Sequence, residues 1–262
     1  MQLILLGVGS SAGTPVIGCD CKTCTSPDPR NARSRCSVTV TAPGGEVILI
    51  DTGPDLRQQA LRESLRRVDA VLYTHTHADH LHGIDDLRSF CQLQRKQIPL
   101  YGHAEHMATI AARFGYALRK PSRDYWDLPV LTVNVLEQPT TICGVTVTPI
   151  PARHGRSVVY GYRIGDFAYL TDVSAIPQQS LLLLQGLEVL LLDCLRYQPH
   201  HTHINLEQSL EYAGRIKAAN TYLIHMTHEM EYAELSAQLP ANVHVAYDGL
   251  RLDFTGDCKP VP

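Results

Sequence analysis

The chain has 262 residues, of which 44% are hydrophobic and 19% charged, and its formal net charge is −3 at pH 7. This length and composition are sufficient for one domain over residues 1–262 whose core needs no disulfides. The weakly acidic balance excludes a general attraction to nucleic acid or to an anionic membrane surface. No apolar run approaches the roughly 20 residues of a membrane-spanning helix. No secretory leader is evident, so we expect a cytoplasmic protein.

Hydrophobic periodicity predicts short strands and helices that alternate along the chain. The predicted strands are Gln2–Leu6, Ser37–Thr41, Val47–Ile50, Val68–Tyr73, Ile98–Tyr101, Val145–Pro149, Gly161–Ile164, Phe167–Leu170, Val189–Leu192, Tyr222–Ile224 and Val243–Val245. The predicted helices are Leu56–Arg66, Gly83–Phe90, Ala104–Phe114, Ser174–Leu183 and Leu206–Ile216. The segment 115–139 is the least regular, and its aromatic residues Tyr116, Tyr125 and Trp126 either overhang a site or pack within the fold.

Three imidazoles and a carboxylate stand together directly after the predicted strand Val68–Tyr73. Residues two apart at an extended strand end project to the same side, so His75 and His77 face one point. Asp79 and His80 lie in the turn that opens the next helix and face a second point. Nitrogen and carboxylate ligands suit Zn, Mn or Fe rather than Ca. This corner therefore predicts ligands for two adjacent metal ions.

Four further residues of ligand type each come just after an apolar strand, namely Asp51, His154, Asp172 and His225. Together with the motif His-x-His-x-Asp-His, this order resembles the metallo-β-lactamase superfamily of hydrolases. The resemblance implies an α/β fold, a four-layer αββα sandwich of the metallo-β-lactamase type, with two mixed sheets between helices.

The resemblance also implies how the ligands divide between two divalent metal ions, Mn or Zn. His75, His77 and His154 would hold one ion. Asp79, His80 and His225 would hold the other, and Asp172 would bridge both. Such a pair lowers the pKa of a shared water and polarises the substrate. Asp51 is implied as a residue that orients a ligand from behind.

A thiolate cluster, defined as Cys19, Cys21 and Cys24, lies near the start of the chain. In a reducing compartment such spacing favours metal binding over disulfides. Tetrahedral zinc needs a fourth ligand, and His228 is the candidate, so we predict one structural Zn. The alternative is three incidental loop cysteines. The scattered cysteines are interpreted as packing residues or free thiols: Cys36, Cys91, Cys143, Cys194 and Cys258.

Two further features narrow the resemblance. The glycine-rich segment Leu5–Pro15 with the thiolate cluster, and the later Tyr247–Gly249, resemble the phosphodiesterases of the carbon–phosphorus lyase pathway. This implies a dimetal-dependent phosphodiesterase that hydrolyses a small cyclic or nucleotide-like phosphodiester, such as phosphoribosyl 1,2-cyclic phosphate. It also implies a homodimer. The alternatives are a tRNA 3′-end processing-type nuclease, or a non-catalytic cofactor-biosynthesis protein of the same fold.

The predicted catalytic residues are His203 and the ligand Asp79. By the same resemblance, His203 would protonate the leaving alkoxide, a task suited to a histidine. His200 and His201 are nearby rivals for this role.

Several arginines and glycines have less specific interpretations. Arg153 and Arg156 flank His154 and either bind phosphate or are solvated loop residues. For the basic stretch Arg30, Arg33 and Arg35 a structural role is favoured. Gly7 and Gly9 lack the complete dinucleotide fingerprint and are interpreted as turn residues of the fold.

Overall fold

The computed structural model describes residues 1–118 and 131–255. The strands within them are β1 (Gln2–Gly7), β2 (Ser37–Thr41), β3 (Val47–Ile50), β4 (Ala70–Leu72), β5 (Ile98–Gly102), β6 (Leu131–Val135), β7 (Thr140–Ile142), β8 (Val145–His154), β9 (Ser157–Ile164), β10 (Phe167–Leu170), β11 (Val189–Asp193), β12 (Asn220–Ile224), β13 (Val243–Val245) and β14 (Arg251–Asp253). The helices are α1 (Leu56–Arg62), α2 (Ala78–Leu81), α3 (Leu87–Gln94), α4 (Ala104–Arg113), α5 (Gln178–Leu182), α6 (Leu206–Ile216) and α7 (Tyr232–Ser236). Short 3₁₀ turns occur at Pro29–Asn31, Ile84–Asp86 and Gly115–Leu118.

These strands form two seven-stranded mixed sheets, ordered β14-β1-β2-β3-β4-β5-β6 and β13-β12-β11-β10-β9-β8-β7. In the first sheet β3, β4, β5 and β6 run parallel, and in the second β10, β11, β12 and β13 do. Parallel strands present their carboxyl ends at one edge of a sheet, and ligands in α/β folds bind there. Each sheet therefore has one edge at which polar strand-end residues converge.

The side chains of single strands alternate between two hydrophobic layers. In β1, Leu3 and Leu5 pack between the sheets, whereas Ile4 and Leu6 face the outer layer. The outer layer of the first sheet includes Leu87 and Phe90 of α3 and Ile110 of α4, and that of the second includes Leu181 of α5 and Ile216 of α6. A sheet with both faces covered in this way is the middle of a layered sandwich. The predicted αββα sandwich is confirmed.

Several predicted boundaries differ from those of the structure. The helix predicted at Gly83–Phe90 is a 3₁₀ turn followed by α3. The helix predicted from Ser174 starts only at Gln178, because Pro177 disfavours helical geometry at the residue before it. Strands β6, β7 and β14 and helix α7 were not predicted, and each has only three to five residues.

Part of the irregular segment 115–139 lies outside the described residues, including Tyr125 and Trp126. Tyr116 donates a hydrogen bond from its hydroxyl to Asp85 at 2.6 Å. The single domain over 1–262 stays a prediction. Among the described residues, no helix has the length and apolar character needed to cross a membrane.

Candidate dimetal active site

The corner that joins β4 to α2 carries the histidine motif. His77 is the N-cap of α2, and Asp79 and His80 lie in its single turn. Two glycines let this turn pack closely on the chain after β3. A Cβ on Gly53 would lie 2.2 Å from the carbonyl oxygen of Asp79, and one on Gly83 would lie 2.1 Å from that of Gly53. Any side chain at either position would displace the corner.

Seven side chains from both sheets meet at this corner, and we call them the His/Asp centre. They form two groups, in each of which the potential ligand atoms lie within 4.8 Å of one another. The first group is His75, His77, His154 and Asp172, and the second is Asp79, His80, Asp172 and His225. The structure therefore brings together all seven predicted dimetal ligands and divides them as expected, with Asp172 shared.

The two oxygens of Asp172 face different groups. Its Oδ1 lies 3.1 Å from Nε2 of His80 and 3.3 Å from Nε2 of His225. Its Oδ2 lies 3.8 Å from Nε2 of His75. Oδ2 of Asp79 lies 3.2 Å and 3.6 Å from the Nε2 atoms of His80 and His225. This is the arrangement that a carboxylate bridging two cations requires.

Three strand-end residues of this region have left-handed backbone conformations. The φ angles are +61° at Asp51, +55° at Asp172 and +59° at His225. For residues other than glycine this conformation costs about 1–3 kcal/mol and is concentrated at functional sites. The sharp turn after each strand is what aims the side chain across the strand ends rather than along the sheet face.

Hydrogen bonds behind three of the five imidazoles fix their tautomers. His80 Nδ1 donates to Asp51 Oδ2 at 2.8 Å, and His154 Nδ1 donates to the carbonyl of Thr202 at 2.8 Å. The Thr74 hydroxyl donates to Asp51 Oδ2, so at 3.0 Å it must accept from Nδ1 of His75. With Nδ1 protonated, each Nε2 presents a lone pair to the centre.

The donor set fits divalent cations. Four buried atoms have no hydrogen-bond partner among residues 1–118 and 131–255, namely Nε2 of His75, His80 and His225 and Oδ2 of Asp79. Buried polar atoms are normally satisfied, so a cluster of unpaired lone pairs indicates a site for ions.

The pKa shifts in the His/Asp centre also fit a site for cations. Burial alone would lower the pKa of His80, but the carboxylates of Asp172 and Asp51 raise it well above its usual value. Burial raises the pKa of Asp172, but His225 and His80 hold it well below its usual range. Burial lowers the pKa of His75 and of His154. The carboxylates thus favour positive charge here, and the lowered pKa values keep two imidazoles neutral, as metal binding requires.

His203 lies beside this centre and is held by a buried carboxylate. Its Nδ1 lies 3.1 Å from Oδ2 of Asp193, and its Nε2 lies 3.8 Å from Oδ2 of Asp172. Its ring stacks on that of His225 with centroids 4.9 Å apart. The ring centroid of the rival His200 lies 5.3 Å from that of His203. Of these three histidines, His203 is the one with an ion-pair distance to Asp172, the carboxylate shared by the two groups of the His/Asp centre.

Asp193 was missed as a site residue. It ends β11, and its Oδ2 also accepts the amide of Val173 at 3.1 Å, while Oδ1 lies 3.6 Å from Nδ1 of His225. Its signal was present in the sequence, since an acidic residue closes an apolar strand just as Asp51 and Asp172 do.

The thiolate cluster converges on one imidazole from the far end of the chain. Nδ1 of His228 lies 3.3 Å from the sulfurs of Cys19 and Cys21 and 3.5 Å from that of Cys24. The backbone amide of Cys24 lowers the pKa of Cys21 to about 6, so this thiol readily becomes a thiolate. The four predicted ligands are therefore together, and their chemistry fits tetrahedral zinc.

A buried arginine docks the segment that follows this loop. Arg33 is 1% exposed and donates to the carbonyls of Thr227 and Met230 and to Asn31, whose amide in turn donates to Glu231. Burial lowers the pKa of Arg33 to about 10. The docking thus uses hydrogen bonds of its own, beside the thiolate cluster.

The remaining basic and glycine residues of this region are structural. Arg35 pairs with Asp55 at 3.0 Å, and Arg30 pairs with Asp28 at 2.8 Å. A Cβ on Gly7 would lie 2.1 Å from the carbonyl oxygen of Arg35. Gly7 thus permits a close approach between two backbone segments. This role differs from the predicted one, which was to form a turn.

Residues 46–226 match the family model described as a beta-lactamase superfamily domain. The chain belongs to this superfamily. It is similar to the crystal structure of a diphosphatase from the PhnP family, with 40% identity, a TM-score of 0.90 and coverage of 97% of this chain and 98% of that one. Zn²⁺-bound PqqB from Methylobacterium extorquens shares the fold, with 20% identity, a TM-score of 0.77 and coverage of 97% and 100%.

Among curated relatives, the octanoyltransferase of Porphyromonas gingivalis is 37% identical over 257 residues, which are 95% of this chain and 51% of that protein. The chain thus spans about half the length of the curated relatives it matches. Family, fold and donor set together support the prediction of a metal-dependent hydrolase domain similar to the PhnP family, and the family implies divalent metal ions.

Proposed function

We propose that the protein hydrolyses a small cyclic or nucleotide-like phosphodiester, such as phosphoribosyl 1,2-cyclic phosphate, with two divalent ions, Mn or Zn, in the His/Asp centre. The position of His203 carries the proposal. Its Nε2 lies 3.8 Å from the bridging Asp172 and its Nδ1 lies 3.1 Å from the buried Asp193. A proton donor at this place suits a reaction whose leaving group is an alkoxide.

The charge of the centre also suits an anionic substrate. Two divalent cations would bring four positive charges, against two negative charges from Asp79 and Asp172. A net excess of about two positive charges remains when the imidazoles are neutral, and it would attract a phosphodiester anion. Bound ions of this kind supply a hydroxide near neutral pH and polarise a phosphoryl oxygen.

The residues of the chain would then perform the remaining steps. Asp51, Thr74 and the Thr202 carbonyl hold the imidazoles in the tautomer that keeps Nε2 free. Asp193 fixes the ring of His203 through Nδ1, so that Nε2 points to the centre. The oxygen of a water-derived hydroxide would bond to phosphorus while the P–O bond to the leaving alkoxide breaks. His203 would deliver its Nε2 proton to that alkoxide oxygen, and the cyclic diester would become a phosphomonoester with a free hydroxyl.

A second candidate is hydrolysis of a phosphoanhydride, because the PhnP-family structure with 40% identity is named a diphosphatase. The two chemistries differ in their leaving group. A phosphate leaves without much help from an acid, whereas an alkoxide needs a proton. The effect of removing His203 on each substrate type therefore separates the two candidates.

The experiment is a turnover panel with the purified protein loaded with Mn or Zn. It contains phosphoribosyl 1,2-cyclic phosphate, a 2′,3′-cyclic nucleotide, a nucleoside diphosphate, a precursor tRNA with a 3′ trailer, a β-lactam and an octanoyl thioester. Each is tested with wild type, His203→Ala and the control His82→Ala. His82 is exposed, two residues beyond the ligand His80, and its ring contacts Phe114.

We expect cyclic diester cleavage that falls about 100- to 1,000-fold in His203→Ala and keeps its rate in His82→Ala. Preferred anhydride cleavage that tolerates His203→Ala would favour the diphosphatase. Turnover of only the tRNA or the thioester would sink the proposal. Silence on every substrate with full metal occupancy would support a non-catalytic protein.

A further inference from the structure

The shared carboxylate of Asp172 is contacted by a buried hydroxyl to which the proposed reaction gives no role. Thr171 is 1% exposed, and its hydroxyl donates to Oδ1 of Asp172 at 2.8 Å. The other oxygen, Oδ2, accepts no hydrogen bond among residues 1–118 and 131–255. The Nε2 atoms of His75 and His203 both lie 3.8 Å from it, beyond hydrogen-bond distance. The two oxygens of the carboxylate therefore have different surroundings.

The left-handed backbone at Asp172 accounts for this contact between neighbours in sequence. Successive side chains of an extended strand point to opposite faces of the sheet, so adjacent residues do not normally touch. Strand β10 ends at Leu170, and φ at Asp172 is +55°. The turn after the strand thus brings the carboxylate to the side of the Thr171 hydroxyl.

Oδ1 is the oxygen that faces the second group of ligands. It lies 3.1 Å from Nε2 of His80 and 3.3 Å from Nε2 of His225. A carboxylate oxygen offers about two lone pairs, so the Thr171 hydroxyl occupies one and leaves one for an ion. The direction of that remaining lone pair is restrained before an ion arrives, which reduces the entropy lost on binding.

The imidazoles of the second group are restrained to different degrees. Asp51 holds His80 through Nδ1 at 2.8 Å. Both ring nitrogens of His225 are buried without a hydrogen-bond partner among the residues that the structure describes. Oδ1 of Asp193 lies 3.6 Å from Nδ1 of His225, which is too long for a hydrogen bond. An ion in this group therefore depends strongly on how Asp172 is held.

We propose that Thr171 is a positioning residue that fixes Oδ1 of Asp172 for the ion held by Asp79, His80 and His225. The inference rests on the dimetal centre of the proposed function and adds to it a residue that makes the two ion sites unequal. Loss of the hydroxyl should weaken this ion more than the other, because Oδ2 has no hydrogen bond to lose. Turnover should fall only where this ion is not saturating.

The test measures the binding of Mn²⁺ to protein that carries one zinc ion in the thiolate cluster. Carboxylate and imidazole ligands accept Mn²⁺, whereas thiolates select zinc, and free Mn²⁺ is counted by electron paramagnetic resonance. Thr171→Val replaces the hydroxyl by a methyl group of similar size. We expect it to lower the affinity for one of two Mn²⁺ ions by about 10- to 100-fold. Thr171→Ser keeps the hydroxyl and should keep most of the affinity.

Thr221→Val is the matched control. Thr221 is also a fully buried threonine, on β12, and its hydroxyl has no hydrogen-bond partner in the described part of the chain. The same exchange of hydroxyl for methyl should leave both Mn²⁺ affinities at their wild-type values. An equal loss of affinity in Thr171→Val and Thr221→Val would overturn the inference, since it would reflect altered packing rather than a lost hydrogen bond.

A double variant identifies the ion that is affected. His77 is exposed and belongs only to the first group, so His77→Ala should weaken the other ion. In that background Thr171→Val should weaken the ion that is still bound tightly. If this ion kept its affinity in the double variant, Thr171 would not position Asp172 for the second group, and the inference would be wrong.

The Mn²⁺ measurement does not depend on which substrate is hydrolysed. If no diester is turned over but the affinities change as expected, the proposed phosphodiesterase is refuted and the role of Thr171 stands. If the cyclic diester is hydrolysed while Thr171→Val binds both ions as tightly as wild type, the phosphodiesterase stands and the role of Thr171 is refuted. Thr171→Ala provides the same comparison if the valine variant does not fold.

Discussion

The His/Asp centre and the thiolate cluster both join distant parts of the chain, but the fold holds them in different ways. Residues of the His/Asp centre stand at strand ends of two sheets and in the turn of α2, and the imidazoles of His75, His80 and His154 are fixed from behind by Thr74, Asp51 and Thr202. The thiolate cluster lies on a loop without regular structure, where its three sulfurs meet the imidazole of His228 and the Cys24 sulfur also accepts the Val16 amide at 3.3 Å.

The difference separates two uses of metal. Where the scaffold orders the ligands, an ion adds chemistry, and its loss should spare the fold. Where the ligands lie on a loop, an ion adds a cross-link, and its loss should cost stability more than chemistry. Substitutions in the two regions should therefore produce opposite patterns of activity and stability.

The largest expected effect on turnover is that of Asp172→Ala. Removal of the shared carboxylate should release catalytic metal and lower kcat/KM by about 10,000-fold or more, since Lewis-acid stabilisation amounts to several kcal/mol. The thermal midpoint should stay close to that of wild type, as measured by circular dichroism beside elemental metal analysis.

Asp69→Ala is the matched control for that variant. Asp69 is a buried aspartate at the opposite end of β4, where it accepts the Val47 amide at 2.8 Å and pairs with Arg67 at 2.6 Å. It should lose stability and retain its metal. Unfolding of Asp172→Ala to the same extent would contradict the view that the scaffold orders the centre without ions.

A smaller effect is expected for the pair His203 and Asp193. His203→Ala should lower kcat by about 100- to 1,000-fold with unchanged metal content. Asp193→Asn should lower it by about 10- to 100-fold, because it only positions the ring. In the double variant the Asp193 change should add little, since its role acts through His203. Fully additive losses would show that Asp193 acts separately, for instance through His225.

Asp51→Asn should affect metal affinity before it affects chemistry. Asparagine tolerates the left-handed backbone at this position, where φ is +61°. It loses a carboxylate oxygen that accepts from both His80 and Thr74. We expect the affinity for one active-site ion to fall about 10- to 100-fold, measured by chelator titration, with wild-type turnover at saturating metal. A turnover defect that persists at saturation would argue against a purely orienting role.

Most strands and most ligands of the His/Asp centre could be predicted from the sequence, because both depend on a local pattern of residues. A ligand that comes just after an apolar strand, such as Asp172 after Phe167–Leu170, can be placed from the local sequence alone. Asp193 follows the same rule, directly after the predicted strand Val189–Leu192, but was missed because only the tertiary structure shows that its carboxylate faces the ring of His203. The short strand β6 has alternating polar residues at a sheet edge and gave no strong signal.

Other features depend on tertiary contacts that no local pattern encodes. The turn between β8 and β9 packs through Gly155 on Thr202, about 45 positions away along the chain. Arg33 is buried because it donates to carbonyls near the other end of the chain. The left-handed φ of His225 is likewise imposed by the surrounding structure, because residues other than glycine adopt this conformation only at a cost.

The largest expected effect on stability, with the active-site metal retained, is that of Cys21→Ser. The variant should bind one zinc ion fewer. Its thermal midpoint should fall by about 5–10 °C, as for the loss of a cross-link of about 2–3 kcal/mol. Turnover below the melting range should stay within about tenfold of wild type, because Arg33 and Asn31 dock the neighbouring segment through their own hydrogen bonds. Cys143→Ser, which changes a thiol outside the cluster, should change none of these quantities. If Cys21→Ser instead lost the active-site metal as well, the two regions would be one cooperative unit, and the segment from His225 to His228 that joins them would be the coupling element.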